Sequence, residues 1–161
     1  MKRKVLFAGS FDPFTNGHLD IARRALDLFD ELIIGVGDNP NKKYVVGTEE
    51  RCSSIKACFS ETEPVSVLSF DGLTIDFCST HNINCIIRGI RDSKDLSFEQ
   101  PIALANRDMK PDIDTVFLLA DPKLQFISSS LCKEIYKYGG DISNYLPKPV
   151  YSSFCSHFAR K

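Results

Sequence analysis

A histidine at the predicted start of a helix is the first feature of this sequence that could do chemistry. The stretch GSFDPFTNGHLD, residues 9–20, lies between a short apolar run and a helical pattern, and it places His18 directly after Gly17. A helix N-terminus offers unpaired N–H groups and about half a positive charge, which suits a phosphate. Because the same dipole disfavours a charge on His18, a neutral imidazole could donate one N–H to a phosphate oxygen. The alternative for a lone histidine at this place is a side chain that points into solvent.

Further groups that suit phosphate follow other apolar runs. Ser10 and Phe11 come directly after the first run, where a hydroxyl and backbone N–H groups can hold a phosphate. Arg88 and Arg91, in the segment IIRGIRD, place two guanidinium groups close together, which suits bidentate recognition of phosphate unless the pair is simply solvated. The hydroxyls of residues 128–130 either supply a second phosphate site at a helix start or only cap that helix. Together these residues predict a pocket for a triphosphate.

Three other polar residues carry weaker signals. Lys42 and Lys43 lie in the loop after the second apolar run, where lysine pairs are usually solvated. Asp12 precedes a proline, so we interpret it as a turn former rather than a metal ligand.

Neither G-x-G-x-x-G nor G-x-x-x-x-G-K-[ST] follows the first apolar run, so the dinucleotide fingerprint and the P-loop are both missing there. A mononucleotide site in this chain must therefore use another geometry.

Short apolar, β-branched runs predict the strands that position these residues. The five runs cover residues 4–8, 31–37, 64–70, 84–89 and 115–120. Helical patterns between and after them cover residues 17–29, 48–60, 72–81, 95–108, 129–138 and 148–159. Asn16 and Thr48 are the predicted N-caps of the first two helices. Strands alternating with helices of this length predict an α/β fold with a mostly parallel, five-stranded sheet covered on both faces.

Polar stretches follow four of the predicted strands. They span residues 9–16, 38–47, 88–95 and 121–130. In open parallel sheets, ligands bind beyond the carboxyl ends of the strands, near the point where the strand order reverses. We therefore expect the four stretches to line one pocket.

Composition limits the classes of function that remain. The 161 residues are 43% hydrophobic and 25% charged, with a formal net charge of −1, so we expect a single globular domain over residues 1–161. This charge argues against a general electrostatic grip on nucleic acid or on an anionic membrane. The first apolar run is too short for a signal peptide or a membrane span. Six cysteines form no C-x-x-C pair, which argues against a zinc site and favours reduced thiols in a cytoplasmic protein.

Three motifs in order resemble a known family. GSFDPxTNGH, IIRGIRD and FISSSLxKE are similar to segments of the bacterial phosphopantetheine adenylyltransferases, a branch of the nucleotidyltransferase superfamily, and the similarity runs from about residue 4 to about residue 150. TNGH at residues 15–18 stands where the superfamily has its H-x-G-H-like turn, and threonine at its first place is usual for this branch. The resemblance implies a single nucleotidyltransferase domain with a Rossmann-like three-layer α/β sandwich. It also implies Mg²⁺ as cofactor and a homohexamer.

The resemblance implies one reaction: the adenylyl group of ATP passes to 4'-phosphopantetheine, giving dephospho-coenzyme A and pyrophosphate. By motif position, His18 corresponds to the residue that stabilises the transition state. The positions that correspond to ATP binding are Ser10, Phe11, His18, Gly89, Ile90, Arg91, Glu99, Leu124, Gln125, Phe126, Ile127, Ser128, Ser129 and Ser130. Those that correspond to binding of the phosphopantetheine substrate are Ser10, Lys42, Thr74 and Arg88. The sequence identifies no metal ligand.

The residues themselves favour a mechanism without a general base. A phosphate monoester with a second pKa near 6 is already mostly a dianion at neutral pH, so it can attack without losing a proton. What remains is to align two charged reactants and to offset their repulsion.

Two alternative functions stay open. One is a nucleotidyltransferase of the same fold with another acceptor, such as nicotinamide mononucleotide or glycerol phosphate, and the other is a sensor that binds ATP without turning it over.

Overall fold

The computed structural model describes residues 3–158. Its strands are β1 (Lys4–Gly9), β2 (Glu31–Gly37), β3 (Val65–Phe70), β4 (Cys85–Ile90) and β5 (Asp114–Leu119). Its helices are α1 (Asn16–Leu28), α2 (Thr48–Lys56), α3 (Thr74–His81), α4 (Ser93–Met109), α5 (Ser129–Lys137) and α6 (Lys148–His157). Every predicted strand and helix is therefore present within the described residues.

The five strands form one sheet in the order β3-β2-β1-β4-β5, and every neighbouring pair is parallel. The sheet is thus wholly parallel, which goes further than the predicted mostly parallel one. The strand order reverses between β1 and β4, where Leu6 pairs with Ile86 and Phe7 with Ile87. This reversal brings the segments after β1 and β4 side by side, at the place where open α/β sheets bind their ligands.

Alternating side chains of the central strand enter apolar clusters on opposite faces of the sheet. Val5 packs in one cluster with Ile21 of α1, and Leu6 packs in the other with Ile75 of α3. Successive residues of a strand point to opposite faces, so β1 needs a helical layer on each side. The arrangement confirms the predicted Rossmann-like three-layer α/β sandwich.

The structure corrects two predicted caps and one predicted helix end. Thr15, not Asn16, caps α1, because its hydroxyl accepts the backbone N–H of the third helical residue at 3.3 Å. Gly47 occupies the N-cap position of α2 with no side-chain hydrogen bond, and Thr48 is the first residue of that helix. α2 ends at Lys56 rather than at residue 60, since the chain there passes into turns closed by i→i+3 hydrogen bonds.

The C-terminal segment packs against the rest of the chain as far as it is described. Val150 and Phe154 of α6 are buried. α6 ends at His157, and residue 159, where the helix was predicted to end, lies outside the described residues. No helix within residues 3–158 combines the length and apolar character needed to cross a bilayer.

α4 and the edge strand β5 expose an apolar surface. None of the 17 residues of α4, all of them described, is fully buried. Phe98 and Leu104 of α4 are 68% and 62% exposed, and Leu119 of β5 is 72% exposed. α4 packs against β5, and several large apolar side chains exposed on neighbouring elements are typical of a protein interface.

Candidate active site

A cavity of about 570 Å³ lies at the carboxyl ends of the strands, where the strand order reverses. Residues from all four predicted polar stretches line it, as expected for one pocket. Most of the sequence-predicted site residues meet here, namely Ser10, Phe11, His18, Lys42, Arg88, Gly89, Arg91, Glu99, Leu124, Ile127, Ser128, Ser129 and Ser130. A pocket of this size can hold a nucleotide.

The first turn of α1 fixes the imidazole of His18. The backbone N–H of Thr15 donates to Nδ1 of His18 at 2.9 Å, and the Thr15 hydroxyl lies 3.1 Å from the same atom. The two residues form a capping box in which histidine takes the place usually held by Glu or Gln. Since Nδ1 accepts a hydrogen bond, the ring proton of the neutral imidazole lies on Nε2. Nε2–H is therefore the group that His18 can offer to a ligand in the cavity.

His18 is uncharged at neutral pH. Burial lowers its pKa from 6.5 to about 4, and the nearby charge of Arg91 acts in the same direction. The ring lies among aromatic side chains, with centroid distances of 5.2 Å to Phe11 and 5.5 Å to Phe14. The sequence predicted the neutral state from the helix dipole, and the structure adds burial as a cause in the same direction. A neutral imidazole can donate a hydrogen bond without releasing a proton to the substrate.

This depressed pKa should make the stability of the protein depend on pH through His18. Between pH 6.5 and pH 4 the unfolded chain binds a proton that the folded chain excludes, so the free energy of unfolding falls as the pH falls. From pH 7 to pH 4.5 we expect the wild type to lose about 2 kcal/mol through this residue. Glutamine at position 18 keeps an acceptor for the Thr15 N–H but has no such titration. Urea unfolding at both pH values should therefore show a smaller loss for His18→Gln, and equal losses would contradict the assignment.

Each of the two arginines at the end of β4 is already paired with a carboxylate. Arg88 pairs with Glu99, with its Nε 3.1 Å from a carboxylate oxygen, and donates from Nη1 to the carbonyl oxygen of Ala8. Arg91 donates from Nε and Nη2 to both carboxylate oxygens of Asp95, at 2.8 and 2.9 Å. The sequence suggested either a pair suited to bidentate phosphate recognition or a simply solvated pair, and the structure shows that each guanidinium already has a carboxylate partner. No hydrogen bond within residues 3–158 engages Nη2 of Arg88 or Nη1 of Arg91, while both guanidinium groups are held by their other partners.

The three hydroxyls at the start of α5 have different roles. Ser128 caps the helix by accepting the N–H of Leu131 at 3.1 Å. Ser129 donates to the carbonyl oxygen of Pro13 at 2.8 Å, which ties α5 to the loop after β1. The hydroxyl of Ser130 has no hydrogen bond among the described residues. The modest explanation, a cap, therefore accounts for one of the three serines, and Ser130 with the N-terminal amides of α5 remains available to a phosphate.

Positive charge outweighs negative charge in the lining of the cavity. Its cationic side chains are those of Lys42, Lys43, Arg88, Arg91 and Lys133, and its carboxylates are those of Asp12, Asp95 and Glu99. The carboxylates of Asp95 and Glu99 are engaged by the arginines, and that of Asp12 lies 3.5 Å from Nζ of Lys133. The five cations exceed the three carboxylates, so the lining keeps a net positive charge and favours binding of a polyanion.

Sequence reasoning missed Lys133 and Asp95 as site residues. Lys133 lies four residues after Ser129, so both residues are on one face of α5. Asp95 stands four residues after Arg91, a spacing that is itself typical of an ion pair. Both signals are present in the sequence, within the motifs already noted.

Asp12 is a buried structural carboxylate. It accepts the backbone N–H groups of Val45 at 3.0 Å and Val46 at 3.2 Å, and so holds the loop after β2 against the loop after β1. Within the described residues, no group of three or more His, Cys, Asp or Glu side chains is placed to hold a metal ion.

Four predicted site residues lie outside the main cavity. Thr74 lines a second cavity of about 380 Å³, which shares Ser10 and Arg88 with the first. Gln125 donates to the backbone oxygen of Arg91 at 2.8 Å. Ile90 is buried, and Phe126 is exposed with its ring edge-on to Tyr145 at 5.6 Å. The structure thus does not bring the side chains of these four residues into the main cavity.

Comparison with known proteins gives the chain a family. Residues 6–135 match the family model described as cytidylyltransferase-like. A phosphopantetheine adenylyltransferase of Flavobacterium psychrophilum is 45% identical over 148 residues, which cover 92% of this chain and 97% of the relative. The enzymes of that name from Cytophaga hutchinsonii and Leptospira biflexa are 43% and 41% identical, over 93% and 99% of this chain and over 100% and 99% of the relatives. With the TNGH capping box at the reversal of a parallel sheet, these similarities show that the chain belongs to the phosphopantetheine adenylyltransferase family of cytidylyltransferase-like proteins.

Proposed function

We propose that this chain transfers the adenylyl group of ATP to the phosphate of 4'-phosphopantetheine, giving dephospho-coenzyme A and pyrophosphate. Family membership supports the reaction, and one observation in the site carries it. Nδ1 of His18 is occupied by the Thr15 N–H, and burial holds the pKa of His18 at about 4. The side chain is therefore a fixed, neutral N–H donor in a cavity lined by cations. Such a donor suits a phosphorus centre whose oxygens gain negative charge in the transition state.

The chemistry needs alignment rather than a proton acceptor. An oxygen of the phosphopantetheine phosphate attacks the α-phosphorus of ATP, and the bond from this phosphorus to the bridging oxygen of the β-phosphate breaks. The electron pair of that bond leaves with pyrophosphate, so no proton has to move at the attacking atom. The site residues have two tasks: they hold both reactants in line, and they offset the charge that develops on the α-phosphate.

The two cavities divide the reactants between them. Ser10 and Arg88 line both, and Lys42 lines the first while Thr74 lines the second. We assign the phosphate of the acceptor to Ser10, Lys42 and Arg88 and its extended arm to the cavity with Thr74. ATP then takes the rest of the main cavity, where Arg91 and the start of α5 meet its phosphates. The ATP positions Ile90, Gln125 and Phe126 can contribute only through their backbone or by lying at the margin of the site.

We further propose that Mg²⁺ enters the site on the triphosphate of ATP. The three carboxylates of the main cavity are engaged by arginine, lysine or backbone N–H groups, so they suit a structural role better than a cage for the ion. Mg²⁺ is commonly held by substrate phosphates, water and few protein ligands. When bound, it would neutralise part of the phosphate charge.

The first experiment measures pyrophosphate release by the purified protein with ATP and Mg²⁺. We expect release that depends on phosphopantetheine and produces dephospho-coenzyme A in equal amount. Release with nicotinamide mononucleotide or glycerol phosphate instead would identify another acceptor. Binding of ATP with no release for any acceptor would identify a sensor and overturn the proposed reaction.

We also propose a homohexamer in the cytoplasm. Association is supported by the exposed apolar side chains of α4 and β5, the number six follows the family resemblance, and six free thiols suit a reducing compartment.

The assembly gives a separate prediction. Analytical ultracentrifugation should find a particle several times the 18.1 kDa of one chain. Leu104→Glu should shift this particle toward the monomer, because it places a charge within the apolar surface of α4. Lys56→Glu on α2 changes the charge more strongly at an exposed site and should leave the assembly intact. A wild-type protein that sediments as a monomer would refute the proposal.

A further inference from the structure

Arg51 is a buried arginine that no proposed step of the reaction uses. It lies on α2, and its exposed fraction is 2%. Among the described residues it is the largest side chain that is fully buried. It lines neither cavity. The nearest carboxylate, that of the half-exposed Asp38, is 3.8 Å away. A buried guanidinium without a close carboxylate is costly unless its N–H groups find other acceptors.

Backbone oxygens from several segments supply those acceptors. Nη1 donates to the carbonyl oxygens of Ser10, after β1, and of Gly37, at the end of β2, the latter at 3.2 Å. Nε donates to Val46 at 3.0 Å, and Nη2 donates to the hydroxyl of Thr48 at 2.8 Å. One side chain thus joins the ends of two strands to the loop that follows the second strand.

The bond to Ser10 sets the direction of a ligand-binding group. The peptide between Ser10 and Phe11 is trans, so its N–H points opposite to its carbonyl. Because the carbonyl of Ser10 points at the buried guanidinium of Arg51, the N–H of Phe11 points away from it, and both Ser10 and Phe11 line the main cavity. Phe11 adopts φ of 48°, a left-handed conformation that a non-glycine residue keeps only when its surroundings impose it. No hydrogen bond among the described residues occupies this N–H.

The same guanidinium holds the loop over residues 38–47. It lies 4.0 Å from the centre of the Tyr44 ring, and the Tyr44 hydroxyl in turn accepts the N–H of Asn39 at 2.9 Å. With its bonds to Gly37 and Val46, Arg51 therefore contacts the start, the middle and the end of the loop. Lys42 belongs to this loop, and Tyr44 lines both cavities. Movement of Arg51 would change the binding of both reactants.

We propose that Arg51 is a positioning residue, which sets the Phe11 N–H for the phosphates of ATP and the loop 38–47 for the phosphate of the acceptor. The inference deepens the proposed function and rests on it. A lysine at this place would keep the charge but could not reach three carbonyl oxygens and a hydroxyl at once, because it lacks the planar fork of guanidinium. Its effect on the reaction comes through Ser10, Phe11 and the loop, not through contact with a substrate.

The test compares a small change beside Arg51 with a larger one in Arg51 itself. Thr48→Val removes the acceptor of Nη2 without removing a helix cap or a lining residue, and Thr48→Ser keeps the hydroxyl as the matched control. We measure the Kd for ATP by calorimetry and the KM for phosphopantetheine by steady-state kinetics. Thr48→Val should raise both constants about three- to tenfold, Arg51→Lys should raise both by at least about tenfold, and Thr48→Ser should raise neither.

The readouts separate a positioning role from a structural one. Partial unfolding would lower kcat per total protein and leave the Kd and KM of the folded fraction unchanged. If Arg51→Lys does not fold, Thr48→Val alone decides the question. Values within twofold of the wild type for both constants in the folded variants would overturn the inference. The wild-type assay and the calorimetry with ATP alone keep this outcome apart from failure of the proposed reaction, since the Kd for ATP can be measured without turnover.

Discussion

Replacing His18 with alanine should lower kcat by about 10²–10³, or ~3–4 kcal/mol in transition-state stabilisation. The change removes a single N–H donor, and removal of one such donor from an oxyanion hole has an effect of this size. The Kd for ATP should change by less than about threefold, because the hydrogen bond strengthens only as charge develops on the α-phosphate. Steady-state kinetics and calorimetry measure the two quantities separately.

A control is needed because His18 also belongs to the capping box of α1. Alanine removes the acceptor for the Thr15 N–H, which is expected to destabilise the helix start by about 1 kcal/mol. His18→Gln retains an acceptor at that position and should have close to the wild-type free energy of unfolding at pH 7. Low kcat in a stable His18→Gln protein would assign the defect to the imidazole. An alanine variant with more than half of the wild-type kcat would remove His18 from the mechanism.

Replacing Arg88 with lysine should weaken the binding of phosphopantetheine by about ten- to a hundredfold, although the charge is kept. Arg88 is held by Glu99 and by the carbonyl oxygen of Ala8, and it lines both cavities. The guanidinium can satisfy both partners and still direct Nη2 toward a phosphate. A lysine has a single nitrogen on a flexible stem, so it must give up at least one of these partners.

The matched control makes the same substitution at an arginine outside both cavities. Arg107 lies on α4, is largely exposed and pairs with Asp114 at 3.5 Å. Arg107→Lys should leave the affinity for phosphopantetheine unchanged, since an exposed ion pair of this kind contributes little. Calorimetry on both variants decides the matter. Equal affinities in Arg88→Lys and in the wild type would exclude Arg88 from the acceptor site.

The sequence was sufficient to predict which elements form, because strands and helices leave different apolar periods. Buried runs such as ELIIGVG, residues 31–37, coincide with the observed β2. The caps were less predictable. Asn16 and Thr15 are adjacent and both residue types are good caps, so only the backbone conformation shows that Thr15 takes that position.

The position of the site was predictable, but its hydrogen bonds were not. Polar residues after parallel strands must gather at one edge of the sheet, and this rule placed His18, Arg88 and the serines of α5 together. Some of the hydrogen-bond partners of these groups are distant in sequence. Ala8, for example, holds Arg88 across 80 positions of the chain, and no local pattern indicates this contact.

Arg51 is the clearest case of information that the sequence does not contain locally. It lies in TEERCSSIK, a charged segment that by pattern alone resembles the solvated first turns of a helix. Its burial follows from the strand order, which brings the ends of β1 and β2 beneath α2. Tertiary packing therefore decides the role of this arginine.

The pairing between β1 and β4 has a consequence for how ligands affect the whole molecule. β1 and β2 are matched through six residue pairs, whereas β1 and β4 are matched through two. The two halves of the sheet are therefore joined through fewer paired residues than the strands within one half, and the proposed sites of the reactants lie across the end of this junction between β1 and β4. A nucleotide that binds both Ser10, after β1, and Arg91, after β4, would hold the two halves of the sheet together. Saturating ATP should therefore raise the melting temperature, and both halves should unfold in one cooperative transition.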